Sequence, residues 1–370
     1  MTNGLPTVHA IRWTPQSKAG IMFHREVQVG MRPSSSPARV EPPQEDDRGN
    51  AIVGPTTELR QLIERAAAGH PAECILLSGG LDTSILARLG VQNEMRAAVT
   101  VLVGPEAPDA PYAEAVADNL GLRHHVVRTD LDEILQEVEF VVRTLVTFDP
   151  MEIRNSIVVA RGLREAAQLR YATVMTGDAA DELFGGYSFM WSKPEGEFER
   201  FSAHLASVMR FSSIPLGAAL GIEVKTPYLD PAVVACALRL SKAQKVGVRG
   251  GVTYGKFLLR LAFPEVEACW RRKDPIEVGA GTAVLPDYFR ARILSLEFEA
   301  ERERIGRLER VEIRDPEHLA YYRIFRQAFG DSPPLRRFGL DPCSKCGFEL
   351  PLPNSEFCVT CGAWPARRAP

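Results

Sequence analysis

Residues 73–84, ECILLSGGLDTS, decide the fold. A short apolar run, 73–77, is followed by a glycine pair and by hydroxyl residues that open a helical stretch, 82–90. The glycines let backbone N–H groups approach an anion, and the N-terminus of the helix adds partial positive charge. This stretch therefore predicts an anion cradle at the carboxyl end of a buried strand.

Further apolar runs repeat this strand-then-helix pattern along the chain. The predicted strands are AAVTVLV (97–103), HHVVRT (124–129) and YATVMT (171–176). Helical stretches separate them, with two longer ones predicted over 131–145 and 155–169, and helices dominate beyond residue 190. Short apolar strands alternating with helices predict an α/β fold with a doubly wound parallel sheet, whose ligands bind at the carboxyl ends of the strands.

The composition of the 370 residues, with 45% hydrophobic and 25% charged residues, is close to the average of soluble globular proteins. A net charge of −3 disfavours broad binding of nucleic acid. The sequence has no apolar run long enough for a membrane span and no secretion signal at its start, so a cytoplasmic protein is expected. Three domains are predicted: a 1–50 extension with a Pro/Ser-rich linker, a 51–335 body and a 336–370 zinc ribbon.

Side chains in the glycine turn suit a nucleotide. Ser78, Thr83 and Ser84 can donate hydrogen bonds to phosphate, whereas Asp82 would repel phosphate and is better explained as a ligand of phosphate-bound Mg²⁺. The turn lacks the GK[ST] of a Walker A loop. The plainer alternative is a tight turn with an Asp/Ser helix cap.

A second motif, TGDAADELFGGY (176–187), follows the last predicted strand. It holds three carboxylates within five residues: Asp178, Asp181 and Glu182. Such crowding is costly unless the groups meet cations or serve proton chemistry. Acids that complement the dipole of a helix N-terminus would explain one or two of them.

Together with other segments, these two motifs resemble the synthetase domain of class B asparagine synthetases, in the ATP pyrophosphatase superfamily. The matching segments are, in order, DAPYAE (109–114), LGLRHH (120–125), FDPMEIRNS (148–156), GIEVKTPYLD (221–230), WRRK (270–273) with Gly279 and Gly281, and YYRIF (321–325). The resemblance extends over about residues 55–330. It implies a five-stranded sheet with a helical C-terminal part.

The resemblance also implies an activity and residue roles. ATP adenylates a carboxylate, pyrophosphate leaves, and an amine captures the acyl-adenylate. Pyrophosphate would be bound by the first motif, namely Ser78, Gly79, Gly80, Leu81, Asp82, Thr83 and Ser84. The nucleotide side would be lined by Leu76, Val103, Thr176 and Gly177. Asp82 and Asp181 would hold Mg²⁺, Asp178 and Lys273 would be catalytic, and the substrate would meet Arg154, Asp181 and Glu182.

The chain departs from that family at its start. Class B enzymes begin with a glutaminase domain whose N-terminal Cys attacks glutamine, but position 2 here is Thr and the first cysteine is Cys74. The expected amine donor is therefore ammonia, a separate amidotransferase or another amine. Lys225 replaces the usual Arg on the substrate side. An amide ligase or cyclase on a biosynthetic or peptide substrate and an ATP-dependent tRNA-modifying enzyme are the alternatives, and carrier-protein and homodimer partners stay open.

Four of the seven cysteines form two CxxC pairs near the end of the chain: Cys343, Cys346, Cys358 and Cys361. Eleven residues separate the pairs, and Gly347 and Gly362 follow them directly. Four thiolates at this spacing predict a tetrahedral structural Zn²⁺ site, with disulfides or an iron–sulfur site as alternatives. The segment is too small for a core of its own, so metal is expected to drive its folding.

Overall fold

The computed structural model describes residues 49–105, 107–271, 275–330, 337–352 and 355–367. The predicted N-terminal strands and linker lie outside these ranges, except for residues 49 and 50, and Lys273 lies outside them too. Within the described ranges, no helix is both long and apolar enough to cross a membrane.

The central sheet has five parallel strands. These are β1 Cys74–Leu76, β2 Ala97–Val103, β3 Arg123–Thr129, β4 Thr173–Met175 and β5 Glu223–Lys225. Their spatial order is β3-β2-β1-β4-β5. The chain therefore builds outward from β1 to β3 and then crosses to the other side, which reverses the winding between β1 and β4. A crevice opens at the carboxyl ends of the strands at such a point. The predicted doubly wound α/β fold is confirmed.

Helices follow most of the strands and dominate the chain after β4. Up to β5 they are α1 Gly49–Gly69, α2 Leu81–Val91, α3 Ala110–Leu120, α4 Leu131–Ile134, α5 Val138–Leu145, α6 Pro150–Gln168, α7 Ala180–Phe184, α8 Glu195–Val208 and α9 Ser213–Ala219. After β5 come α10 Pro231–Arg239, α11 Lys242–Lys245, α12 Phe257–Ala262, α13 Ile276–Gly279, α14 Leu285–Arg292, α15 Ser295–Glu309 and α16 Pro316–Phe329. A hairpin of β6 Gly247–Arg249 and β7 Val252–Tyr254 precedes α12.

Side chains of β2 alternate between two apolar cores. Val99 and Val101 belong to a core that also contains side chains of α5, α6 and α16. Ala98 belongs to a second core, with side chains of α1, α2 and α12. All seven residues of β2 are buried, which explains why six of them are apolar; the seventh, Thr100, donates to the Leu77 carbonyl at 2.7 Å.

Three elements differ from the sequence expectation. The helix expected over 155–169 begins at Pro150, because Asp149 caps it by accepting a hydrogen bond from the Met151 N–H at 3.2 Å and proline suits the first helical position. The stretch 131–145 is broken by a 3₁₀ turn, Leu135–Glu137. The β6–β7 hairpin was not predicted.

The end of the described chain forms a small cysteine-containing module, residues 337–352 and 355–367. Isolated bridges join Arg337 to Phe348 and Pro342 to Glu349. Phe348 packs against Phe325 of α16, with ring centroids 5.6 Å apart. The module therefore shares a core with the sheet domain.

Candidate active site

The glycine turn after β1 is shaped by a close approach of two backbones. Gly79 has φ +65°, and a Cβ there would lie 2.4 Å from the Ala113 nitrogen of α3. Gly80 precedes α2 with extended backbone, and no side chain caps the helix there. The first N–H groups of α2 therefore have no side-chain acceptor at this position, as in helix ends that bind anions.

Hydroxyl groups inside the turn are held in place by hydrogen-bond contacts with each other and with a backbone carbonyl. Ser78 Oγ lies 3.1 Å from Thr83 Oγ1. Ser84 Oγ donates to the Gly80 carbonyl at 2.7 Å, and Thr83 Oγ1 donates to the same carbonyl at 3.4 Å. Leu81, Thr83 and Ser84 are buried, whereas Ser78 is half-buried. The turn thus has a fixed shape, with Ser78 as its more accessible hydroxyl.

Each of the two strand-end motifs contributes one carboxylate to an ion pair with the ammonium group of Lys256. Lys256 Nζ lies 2.6 Å from Asp82 Oδ2 and 2.8 Å from Asp181 Oδ1. Burial alone lowers the pKa of Lys256, but attraction to Asp181 and Asp82 outweighs it and the pKa is raised. The second oxygen of Asp82, Oδ1, is buried and has no hydrogen-bond partner among the described residues. A pair of carboxylates with a spare oxygen suits a divalent cation as well as an ammonium.

The other carboxylates of the second motif are held by hydroxyl groups. Asp178 accepts from Thr176 Oγ1 at 2.7 Å and from Ser213 Oγ of α9. Glu182 accepts from the Tyr187 hydroxyl at 2.7 Å, and burial raises the pKa of Glu182. Asp178 is therefore fixed in orientation at the carboxyl end of β4.

Close packing joins the two motifs directly. A Cβ on Gly177 would lie 3.0 Å from Thr83 Cγ2 and 3.2 Å from Asp82 Cβ. The Tyr228 hydroxyl, from the segment after β5, donates to the Asp82 carbonyl at 3.1 Å. The structure thus brings together the predicted residues at the carboxyl ends of β1 and β4.

The loop predicted to carry Lys273 is anchored on both sides of the undescribed residues 272–274. Before them, Arg271 donates to the Gly79 carbonyl at 3.0 Å and pairs with Asp109. After them, the Ala280 carbonyl accepts from the Val103 N–H at 2.8 Å. Both anchors lie at the glycine turn or at the carboxyl end of β2.

Arg154 lies on α6, beside a cavity of about 460 Å³. Its Nε is 3.4 Å from Glu317 Oε1, while its terminal nitrogens donate no hydrogen bond to a described residue. Burial raises the pKa of Glu317 to about 7, and Arg154 lowers it in part. The Arg154 carbonyl accepts from Thr282 Oγ1 at 3.2 Å, which ties this cavity to the loop after Gly281.

Sequence reasoning gave no role to Lys256, Arg271 or Tyr228. No local pattern marks Lys256, since it lies in an apolar stretch between Gly255 and α12. Leu76 ends β1, Val103 ends β2, and Thr176 follows β4, so the predicted nucleotide-side residues lie at the same sheet edge.

The four cysteines of the module converge in space. Their Sγ atoms lie within 4.8 Å of one another and all four residues are buried. The Cys343–Cys361 and Cys346–Cys358 sulfur distances are 3.8 and 3.7 Å. Four ligands at about 2.3 Å from a tetrahedral Zn²⁺ would be about 3.8 Å apart, whereas a disulfide is about 2.05 Å long. The cluster has the dimensions of a tetrahedral metal site.

Comparison with known proteins confirms the predicted resemblance. Residues 58–214 match the family model described as asparagine synthase. Asparagine synthetase B [glutamine-hydrolyzing] of Escherichia coli is 27% identical over 250 residues, covering 60% of this chain and 45% of that protein. The asparagine synthetase [glutamine-hydrolyzing] of Gallus gallus is 29% identical over 279 residues, covering 67% and 48%. The chain thus spans about half the length of the curated relatives that it matches.

Solved structures give a weaker likeness. A predicted subunit of tRNA methyltransferase from Methanocaldococcus jannaschii aligns with 52% of this chain and 86% of that one, at 16% identity and a TM-score of 0.25. NMN synthetase from Francisella tularensis aligns with 60% and 97%, at 13% identity and the same score. The fold class therefore rests on the strand order itself.

Proposed function

We propose that this chain, whose residues 58–214 match the asparagine synthase family model, adenylates a carboxylate with ATP and then joins it to an amine. The observation that carries the proposal is the meeting of Asp82 and Asp181 on Lys256, at 2.6 and 2.8 Å. This meeting point adjoins the Gly79 turn. A phosphate cradle beside carboxylates that can hold Mg²⁺ is what adenylyl transfer requires.

The proposed reaction has two steps. An oxygen of the substrate carboxylate attacks the α-phosphorus of ATP, the bond to the β-phosphate oxygen breaks, and pyrophosphate leaves. The amine then attacks the acyl carbon, AMP leaves with the electrons of the C–O bond, and the nitrogen loses a proton to give the amide. Ser78 to Ser84 would hold the pyrophosphate. Lys273 would offset the negative charge that develops as pyrophosphate leaves.

The remaining roles follow the positions of the side chains. Asp82 and Asp181 would hold Mg²⁺, which supplies positive charge at the phosphates. Asp82 Oδ1, which accepts no hydrogen bond from the part of the chain that the structure describes, suits this role. Asp178, oriented by two hydroxyl groups, is the proposed catalytic carboxylate. Arg154, whose terminal nitrogens donate no hydrogen bond to a described residue, would bind a carboxylate of the substrate, and Glu182, which accepts from the Tyr187 hydroxyl, would also meet the substrate.

The simplest substrates are aspartate and ammonia, since the two relatives above are named asparagine synthetases. An amide ligase or cyclase that acts on a biosynthetic or peptide substrate would use the same chemistry. A separate amidotransferase or a carrier protein would then supply the amine or the acid. The four cysteines would hold a structural Zn²⁺, and a cytoplasmic location, where thiols stay reduced, is part of the proposal.

The proposal predicts that the protein releases pyrophosphate only when a carboxylic acid is present. The test is a coupled pyrophosphate assay with MgATP and ammonium, run over a panel of acids that begins with L-aspartate. AMP and pyrophosphate should form in equal amounts with at least one acid and without glutamine. Release that depends on added tRNA, and not on any acid, would instead support the tRNA-modifying alternative.

Gly79→Ala is expected to weaken ATP binding by at least about 10-fold, a loss of about 1.4 kcal/mol. Its Cβ would meet the Ala113 backbone at 2.4 Å and push the turn away from α3. Gly104→Ala is the matched control, since Gly104 has φ +77° but open space around its Cβ. Calorimetric titration of both variants with MgATP checks the difference. Equal ATP affinities in the two variants would contradict the role of the Gly79 turn.

A further inference from the structure

The Arg154 cavity has a wall that comes from the cysteine module. Four parts of the chain line it: the start of α6 with Arg154, α14 with Pro286 and Arg290, the start of α16 with Glu317, and module residues Phe357 and Gly362. Arg154 supplies hydrogen-bond donors to this space, while the Phe357 ring, 44% exposed, supplies an apolar surface. A ligand with an anionic group and an apolar or extended remainder would suit this combination.

The module is fastened to the segment that leads into α6. The Phe148 N–H donates to the Thr360 carbonyl at 2.7 Å, and Thr147 Oγ1 donates to the Val359 carbonyl at 2.8 Å. These acceptors belong to the turn that carries Cys358 and Cys361. A shift of this cysteine turn would therefore displace Thr147 and Phe148, which directly precede Asp149, the N-cap of α6.

Two further contacts join the same turn to Asp149 and Arg314, which line the cavity. Gly362, with φ +70°, lies so close to Asp149 that a Cβ would fall 2.1 Å from the Asp149 Oδ1 atom. Arg314 donates to the Gly362 carbonyl at 2.6 Å and to the Cys361 carbonyl at 3.0 Å. The second CxxC pair thus lies directly on the N-terminus of α6.

We propose that the cysteine module is a wall of the carboxylate-substrate site and that Phe357 is a specificity-determining residue. In this arrangement Arg154 binds an anionic group of the acid, and Phe357 contacts the part of the acid remote from the reacting carboxylate. The turn that carries Cys358 and Cys361, residues 358–362, keeps the start of α6 in place, and a Zn²⁺ held by the four cysteines would fix this turn. The identity of the ligand in this inference rests on the proposed function. The contacts that hold the start of α6 against the module do not depend on it.

Phe357→Ala tests the contact with the acid. Leu352→Ala is the matched control, because both side chains are 44% exposed in the module and Leu352 does not line the cavity. With L-aspartate or another acid active in the panel, Phe357→Ala should raise the KM for the acid by about 10-fold or change the preferred acid, and leave the KM for ATP within about 2-fold. The control should change neither constant. A Phe357→Ala variant that behaves like the control would overturn the specificity role.

Hydrogen exchange tests the fastening without any substrate. The full chain is compared with and without a zinc chelator, following peptides that cover residues 147–155 and 78–84. Chelation should speed exchange in 147–155 by at least about 10-fold and leave 78–84 unchanged. If the four thiols become reactive while 147–155 keeps its protection, the wall proposal is wrong. If no acid supports pyrophosphate release, the proposed function fails, and the exchange experiment still decides whether the module fastens α6.

Discussion

Replacing Lys256 with methionine is expected to reduce pyrophosphate release by at least about 10²-fold, in the range seen when a key charge-stabilising group is removed from an active site. It should also lower the free energy of unfolding by about 3–5 kcal/mol, because Asp82 and Asp181 would lose the buried cation that they share. Methionine is unbranched and only one heavy atom shorter than lysine, so the charge is the main difference. Urea unfolding and the pyrophosphate assay measure the two effects.

Lys245→Met is the matched control for this experiment. Lys245 is also buried, but its ammonium forms no hydrogen bond or ion pair with a described residue. Burial lowers the pKa of Lys245 to about 8, with a small opposing effect of Glu199. Removing an unpaired buried charge should be neutral or stabilising. Similar losses of stability in both variants would show that buried volume, and not the shared charge, is what Lys256 contributes.

The same ion cluster has a predictable pH dependence. The pKa of Lys256 is raised in the folded protein above its unfolded value of about 10.4. Its stabilisation is therefore complete below about pH 10 and is lost as the pH rises through the folded value. The stability difference between the wild type and Lys256→Met should be constant from about pH 6 to 9 and narrow only above about pH 10. A difference that narrows near pH 7 would point to another titrating group.

The sheet could be predicted from the sequence wherever its strands are apolar and buried, as in β1, β2 and β4. The seven-residue strand β2 is apolar except for Thr100, because both of its faces meet a core. In contrast, β5 has only three residues, Glu-Val-Lys, and nothing local distinguishes it from a loop. The β6–β7 hairpin is equally short, and its apolar residues are partly exposed. Short strands at an edge are specified by their neighbours rather than by their own pattern.

The sequence could predict those parts of the candidate site that are formed by residues close together in the chain. Both acidic motifs directly follow strands, and parallel strand ends share one edge, so Asp82 and Asp181 could be expected to lie close together. Lys256 could not be found in this way, since it is 174 residues from Asp82 in the chain and adopts a left-handed backbone conformation between two elements. The proposed role of Phe357 could not be predicted either, because Phe357 is far from Arg154 in the chain. A sequence pattern does not reveal which distant segments pack together.

Replacing Cys346 with serine is expected to abolish zinc binding and to unfold the module. Cys346 is fully buried within the four-sulfur cluster, and serine is a poor ligand for Zn²⁺. Apart from its cysteines, the described part of the module contributes few apolar side chains to the core, so a bound metal would supply most of its folding free energy. Zinc content measured by mass spectrometry should fall from about one ion per chain to nearly none.

The loss should extend beyond the module. Phe348 packs on Phe325 of α16, and the Thr360 carbonyl accepts from Phe148, so an unfolded module would uncover the core below it. The expected cost is at least about 3 kcal/mol, comparable to removing a buried phenylalanine. Cys236→Ser is the control, because Cys236 is buried in the other core, on α10. It should retain its zinc. If Cys346→Ser keeps one zinc ion, or loses no more stability than Cys236→Ser, the cysteines do not form a metal-dependent structural unit.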